Sequence, residues 1–102
     1  MARGLYIKEV FSLESVKDCA QFPVDITGRY AHKIVYAIQS LKSNVFISHN
    51  GRTVNAKSIL GILSLQLKEK NIVDIYCYGD DAAQLEGDMK FIVNFIGDLE
   101  NK

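Results

Sequence analysis

Apolar residues along this chain recur at two spacings, and the switches between them mark out its elements. Ala20, Phe22 and Val24 alternate with other residues between Val16 and Ile26, the period of a half-buried strand. Pro23 cannot donate to a ladder, so this first strand is expected to be short or irregular. After a break at Thr27-Gly28, the residues Ala31, Ile34, Val35, Ile38 and Leu41 share one helical face, predicting an amphipathic helix over Tyr30 to Lys42. Asn44 to His49 alternates Val45 and Ile47 with polar neighbours apart from Phe46, and Arg52 to Asn55 supplies a return arm. Asn50-Gly51 between them is a two-residue hairpin signal, because that turn needs positive φ at both central positions.

Ser58 stands at an N-cap position, just before Ile59, Leu60, Ile62 and Leu63 at helical spacing, so a short helix is expected to open there. Four apolar residues exceed what one buried stripe of so short a helix requires, and part of the cluster is expected at the surface as a docking patch. Core packing is the alternative. Gln66 to Asn71 is a charged connection. Ile72 to Tyr78, with Val73, Ile75 and Cys77 on one face, predicts a last strand ended by Gly79. Asp80-Asp81 suits a helix start, and Leu85, Met89, Ile92, Val93 and Ile96 continue that helix. The order strand, helix, strand, strand, helix, strand, helix is that of an α/β (α+β) sandwich with its helices segregated on one sheet face.

Composition narrows the function classes. At 102 residues the chain reads as one domain. Lys plus Arg equals Asp plus Glu at 12 each, so no net field favours nucleic acid or an acidic membrane surface. The two cysteines, Cys19 and Cys77, have no metal spacing and are too few for a disulfide framework, which points to a reducing cytoplasm and free, buried, inert thiols. No stretch approaches the roughly 18 continuous apolar residues of a membrane span, and a soluble, unprocessed protein is expected. Residues 1–15 hold Leu5, Tyr6, Ile7, Val10 and Phe11, too apolar for a free tail; they are expected to pack on the domain or on a second copy.

The run from Asn50 to Leu65 resembles the segment N-G-K-x-V-N-x-K-S-I-M-G-x-M-S-L of HPr, the phosphocarrier of the bacterial sugar phosphotransferase system, and of its regulatory relative Crh. Asn50, Gly51, Val54, Asn55, Lys57, Ser58, Ile59, Gly61, Ser64 and Leu65 match in order and spacing. The resemblance continues without a gap over roughly residues 16–98, leaving 1–15 as an extension before an HPr-like domain of 16–102. It implies an open-faced βαββαβα sandwich of four antiparallel strands and three helices.

The family's carrier motif, G-[IL]-H-A-R-P, opens the first helix with a histidine that takes phosphate from Enzyme I. In the same ungapped frame this chain reads Asp25-Ile26-Thr27-Gly28-Arg29-Tyr30: Thr27 stands at the histidine position, Arg29 keeps the arginine, and Tyr30 replaces the proline. A shifted frame, needing a three-residue deletion, would put Tyr30 at the histidine position and His32 at the arginine position. Neither restores the motif. Threonine lacks imidazole's nucleophilicity, and its phosphate ester would be too stable to hand onward. His32 and His49 read as solvated surface residues.

The resemblance therefore implies a Crh-like, non-enzymatic member with no metal or cofactor. Its implied regulatory phosphorylation site is Ser58, with Arg29 and Lys57 as charge partners and Ile59, Leu60 and Leu63 as a protein-binding patch. Leu60 and Leu63 replace the two methionines of the family's docking surface. The implied partners are HPr kinase/phosphorylase and a catabolite-control transcription factor, with a homodimer as a further assembly. Three other readings stay open: Ser58 as a plain helix cap, a phosphocarrier using another residue, and a purely structural interaction domain.

Overall fold

A computed structural model describes residues 14–101; the expectation that Leu5 to Phe11 pack on the domain or on a second copy lies outside the described residues. Four strands, β1 (Glu14–Gln21), β2 (Asn44–His49), β3 (Arg52–Asn55) and β4 (Ile72–Gly79), form one sheet in the order β1-β4-β2-β3. Every neighbouring pair is antiparallel, with Val16 opposite Cys77, Val45 opposite Cys77, and Ile47 opposite both Ile75 and Val54. Three helices, α1 (Gly28–Gln39), α2 (Ile59–Ser64) and α3 (Ala82–Gly97), cover one face, and a 3₁₀ turn over Leu99–Asn101 follows. This is the α/β sandwich that the periodicities predict, with the four antiparallel strands and three helices that the resemblance implies.

The two-residue period of the strands sorts the sheet into faces. Ala20, Val45, Ile47, Val73, Ile75 and Cys77 turn toward the helices and are buried. Ala31, Ile34, Val35 and Ile38 of α1 meet them, together with Leu85, Met89, Ile92 and Ile96 of α3. Fully burying one such large aliphatic side chain stabilises the fold by about 1.5–3 kcal/mol. That term fixes which helix face turns inward.

The hairpin closes as expected, with Asn50 at φ 52° and Gly51 at φ 79°. Asp81 caps α3 by accepting from the Ala83 and Gln84 amides at 3.0 and 3.2 Å. The boundaries of two elements differ from the sequence reading. β1 ends at Gln21 rather than running to Ile26, so Pro23 lies outside the ladder and needs no edge position; Phe22 instead exchanges backbone bonds with Asn71 and Lys70 at 2.9 and 2.7 Å. The strand also starts at Glu14, inside the stretch set apart as an extension. Helix α1 covers Gly28–Gln39 and not Tyr30 to Lys42: Ser40 caps it, and the Leu41 amide turns back to the Ile38 carbonyl at 2.9 Å.

Candidate functional site

The start of α1 is held by the connection that follows α2. The Ile26 amide donates to the Leu67 carbonyl at 2.9 Å, and the Asp25 carboxylate accepts from the Glu69 amide at 2.8 Å. These two bonds set Thr27 at the lip of an open cleft of about 420 Å³, walled by Asp25 and Ile26 on one side and by Leu63, Gln66, Leu67 and Lys68 on the other. Thr27 is the N-cap of α1: its backbone is extended, its carbonyl accepts from the Ala31 amide at 2.9 Å, and its side chain makes no capping bond. The hydroxyl therefore stands exposed at the positive end of a helix. Arg29 is also exposed, its guanidinium carbon 5.6 Å from the centre of the Tyr30 ring.

An anion would be favoured at this helix start by free amides and the nearby arginine. Nucleophilic chemistry is another matter. No imidazole lines the Thr27 cleft. His32 is exposed and stacked on Tyr36 at 6.3 Å between ring centres, and it lines a separate cleft with Lys33, Tyr36, Ala37 and Phe95. His49 lies half-buried on β2, opposite Arg52 in the hairpin.

Ser58 is the N-cap of α2. Its Oγ accepts from the Gly61 amide at 3.0 Å, and its carbonyl from the Ile62 amide at 3.0 Å. The approach is preset by Asn55, whose side chain accepts from the Lys57 amide at 2.8 Å and whose carbonyl accepts from the Ser58 amide at 3.1 Å. Gly61 permits the tight seat: a Cβ there would come within 3.3 Å of the Asn55 carbonyl and of the Ser58 side chain. Beyond the cap, Ile62 is fully buried, Leu63 is half-buried, Ile59 is exposed and Leu60 is 79% exposed. The apolar cluster thus divides between core and surface.

Leu63 belongs to both regions, since it follows the exposed turn of α2 and also lines the Thr27 cleft. Lys57 does not turn to either. Its ammonium donates to the Leu41 carbonyl at 2.7 Å, beyond the end of α1. Gln66 and Lys68, which share the cleft with Thr27, carry no motif signal; the sequence reading leaves them in a charged connection.

The cysteines sit on neighbouring strands, but the expectation that both are buried fails for one of them. Cys77 is buried, whereas Cys19 is exposed, because its register opposite Asp74 puts it on the uncovered sheet face. Burial pushes the Cys77 thiol up to about 11; the Asp88 carboxylate adds to that rise and Lys57 opposes it. Asp88 also accepts from the buried Ser43 hydroxyl at 2.5 Å. Among the described residues, no group of three or more His, Cys, Asp or Glu could hold a metal ion, and no helix is long and apolar enough to cross a membrane.

A family model described as "PTS HPr component phosphorylation site" matches residues 19–96. The phosphocarrier protein HPr of Xylella fastidiosa is 34% identical over 54 residues, which are 53% of this chain and 61% of that protein. The match thus spans about three fifths of that relative's length. HPr-C-His from Thermoanaerobacter tengcongensis superposes with a TM-score of 0.71 at 27% identity, covering 87% of this chain and 97% of that one. Crh, the catabolite repression protein of Bacillus subtilis, superposes with a TM-score of 0.55 at 29% identity, over 70% of this chain and 83% of that one.

Proposed function

The chain belongs to the HPr family, and from that premise we propose that it is a regulatory protein-binding module of the bacterial phosphotransferase system, with Ser58 as its phosphorylation site. One observation carries this reading. Ser58 stands at the head of α2 beside the exposed Ile59 and Leu60, while the cleft of Thr27 offers no imidazole. The module binds proteins and catalyses no reaction of its own.

A phosphoserine adds about −1.5 to −2 charges and three strong acceptor oxygens. At the start of a helix that charge meets free amides and the positive dipole end, an interaction worth only about 0.3–1 kcal/mol at an exposed position. Modification therefore leaves the fold standing and acts on recognition, by setting a charge beside the apolar Leu60. Arg29 is the exposed cation on the neighbouring helix start, and a partner that reads phosphate and patch together would use it. Lys57 is already engaged with Leu41 and contributes by holding the turn. The partners of this reading are HPr kinase/phosphorylase, which adds and removes the phosphate, and a catabolite-control transcription factor that binds the modified form.

Mass spectrometry after separate incubation with HPr kinase plus ATP and with Enzyme I plus phosphoenolpyruvate tests the proposal. The kinase should add one phosphate, lost in Ser58→Ala, and Enzyme I should add none. Absence of kinase labelling, beside an ordinary HPr that is labelled in the same tube, would leave Ser58 a helix cap. Acid-labile phosphate from Enzyme I that disappears in His32→Ala would instead make the chain a working carrier.

A further inference from the structure

We propose that the outer face of α1 and α3 is a self-association surface, on which a second copy docks with its α3 over α1 and its α1 over α3. Both helices lie on the sheet, and among the described residues no element covers their outer side. The seam between them is aromatic and open. Tyr36 is 76% exposed and Phe91 is 44% exposed. Tyr36 stacks on His32, and Phe91 meets Phe95 at 6.0 Å between ring centres. A cleft of about 300 Å³ separates Tyr36 from Phe95, and adjoining clefts continue along α3 beside Phe91 and Asn94 and along α1 beside Gln39 and Ser40. Exposed aromatic side chains grouped along one groove mark a docking surface.

The occupant is argued from charge. Residues 28–42 hold Arg29, His32, Lys33 and Lys42 and no carboxylate, whereas residues 80–101 hold six carboxylates and one lysine. The two helices run antiparallel: Ser43, just past α1, is bonded to Asp88 in the first half of α3, and His32 shares a cleft with Phe95 in the last turn. Lys42 accordingly lies beside Asp80 and Asp81, and His32 lies toward the end that carries Asp98. A two-fold axis across the helices would set α1 on α1, cation against cation, and α3 on α3, carboxylate against carboxylate. A two-fold axis along the helices sets the basic helix on the acidic one and keeps the levels. Lys42 then faces Asp80 of the second copy, and Tyr36 meets its Phe91 and Phe95. Both halves of this complementary pattern stand on one chain, which suits a second copy and is not needed for an unrelated partner. Twelve residues of α1 rise about 18 Å, and two helices side by side are about 20 Å wide. That footprint is small beside the roughly 800 Å² per partner of a standard interface, so the dimer is weak and concentration-dependent.

Sedimentation velocity of the full chain tests this, in reductant so that the exposed Cys19 forms no disulfide. A monomer–dimer equilibrium should shift toward dimer between micromolar and millimolar concentration. Tyr36→Ser together with Phe91→Ser should weaken it by about ten-fold or more, and both side chains are exposed, so the fold is kept. Charge tests the orientation. Lys42→Asp and Asp80→Lys should each weaken self-association, because each sets like charges together at both symmetric contacts. Mixing the two variant chains should restore the dimer, since each such contact between them joins opposite charges. A folding defect within either chain would not be mended by mixing. A chain that stays monomeric at millimolar concentration would overturn the proposal and leave the groove to another protein. So would a dimer indifferent to the two aromatic substitutions, which would use another surface, or a mixture that sediments no faster than its parts.

Discussion

The Lys57 ammonium donates to the Leu41 carbonyl at 2.7 Å and so ties the turn before α2 to the segment that ends α1. The contact is half-buried, and a hydrogen bond from a charged donor is worth about 1.5–3 kcal/mol. Lys57→Met keeps the aliphatic stem but leaves the carbonyl without this donor. Urea unfolding should show a loss of about 1–2 kcal/mol at unchanged m-value. An unaltered midpoint would return Lys57 to the pool of cations free to meet a phosphate.

Ser58 has a structural role whatever its regulation. Ser58→Ala removes the acceptor for the Gly61 amide and should lower stability by about 1 kcal/mol. Aspartate caps as well as serine does, so Ser58→Asp should melt within about 0.5 kcal/mol of the native chain. Equal losses in both variants would show that the seat tolerates serine alone.

The two thiols should react very differently. Ellman's reagent should titrate one equivalent, Cys19, in the native protein and two after denaturation. The raised Cys77 pKa also makes stability fall in alkali. Its folded value, about 11, lies above the ordinary 9.0, so the contribution is complete below pH 9 and lost as pH rises through 11. By pH 11 the loss should be on the order of 2 kcal/mol, and Cys77→Ala should flatten that limb of the profile.

Gln66 follows the end of α2 in the left-handed region, at φ 51°. A side chain there costs roughly 1–2 kcal/mol, of which glycine's extra chain entropy takes back about half. Gln66→Gly should therefore raise the thermal midpoint by a few degrees, on the order of 0.5–1 kcal/mol. A lower midpoint would mean that the Gln66 side chain holds the Thr27 cleft together.

What could be foreseen from the residues depended on how local the cause was. The Asn50-Gly51 turn and the caps at Ser58 and Asp81 are decided within a few residues and appear where the sequence puts them. The exit of β1 at Gln21 was not legible, because the bonds that take over at Phe22 come from Asn71 and Lys70, far along the chain. The exposure of Cys19 was legible in part: the alternation that turns Ala20 inward turns Cys19 outward, but that this outer face is left uncovered is decided by where the helices dock. At the candidate site, Thr27, Ser58 and the apolar run after it could be found by motif. The partnership of Gln66 and Lys68 with Thr27 could not, since the cleft between them exists only once α2 has docked.

The pairing of Glu14 with Gly79 sets an order of events during synthesis. Among the described strands β1 is the first to be made, yet β4, its partner in the sheet, is the last of them. Closing so long a loop precedes any ladder contact along β1, so the fold is assembled late and from distant parts, in the manner of domains of high contact order. Until β4 arrives, β1 is an unpaired edge in a nascent chain, and its exposed Lys17 and Asp18 serve as charges that discourage other chains from taking β4's place.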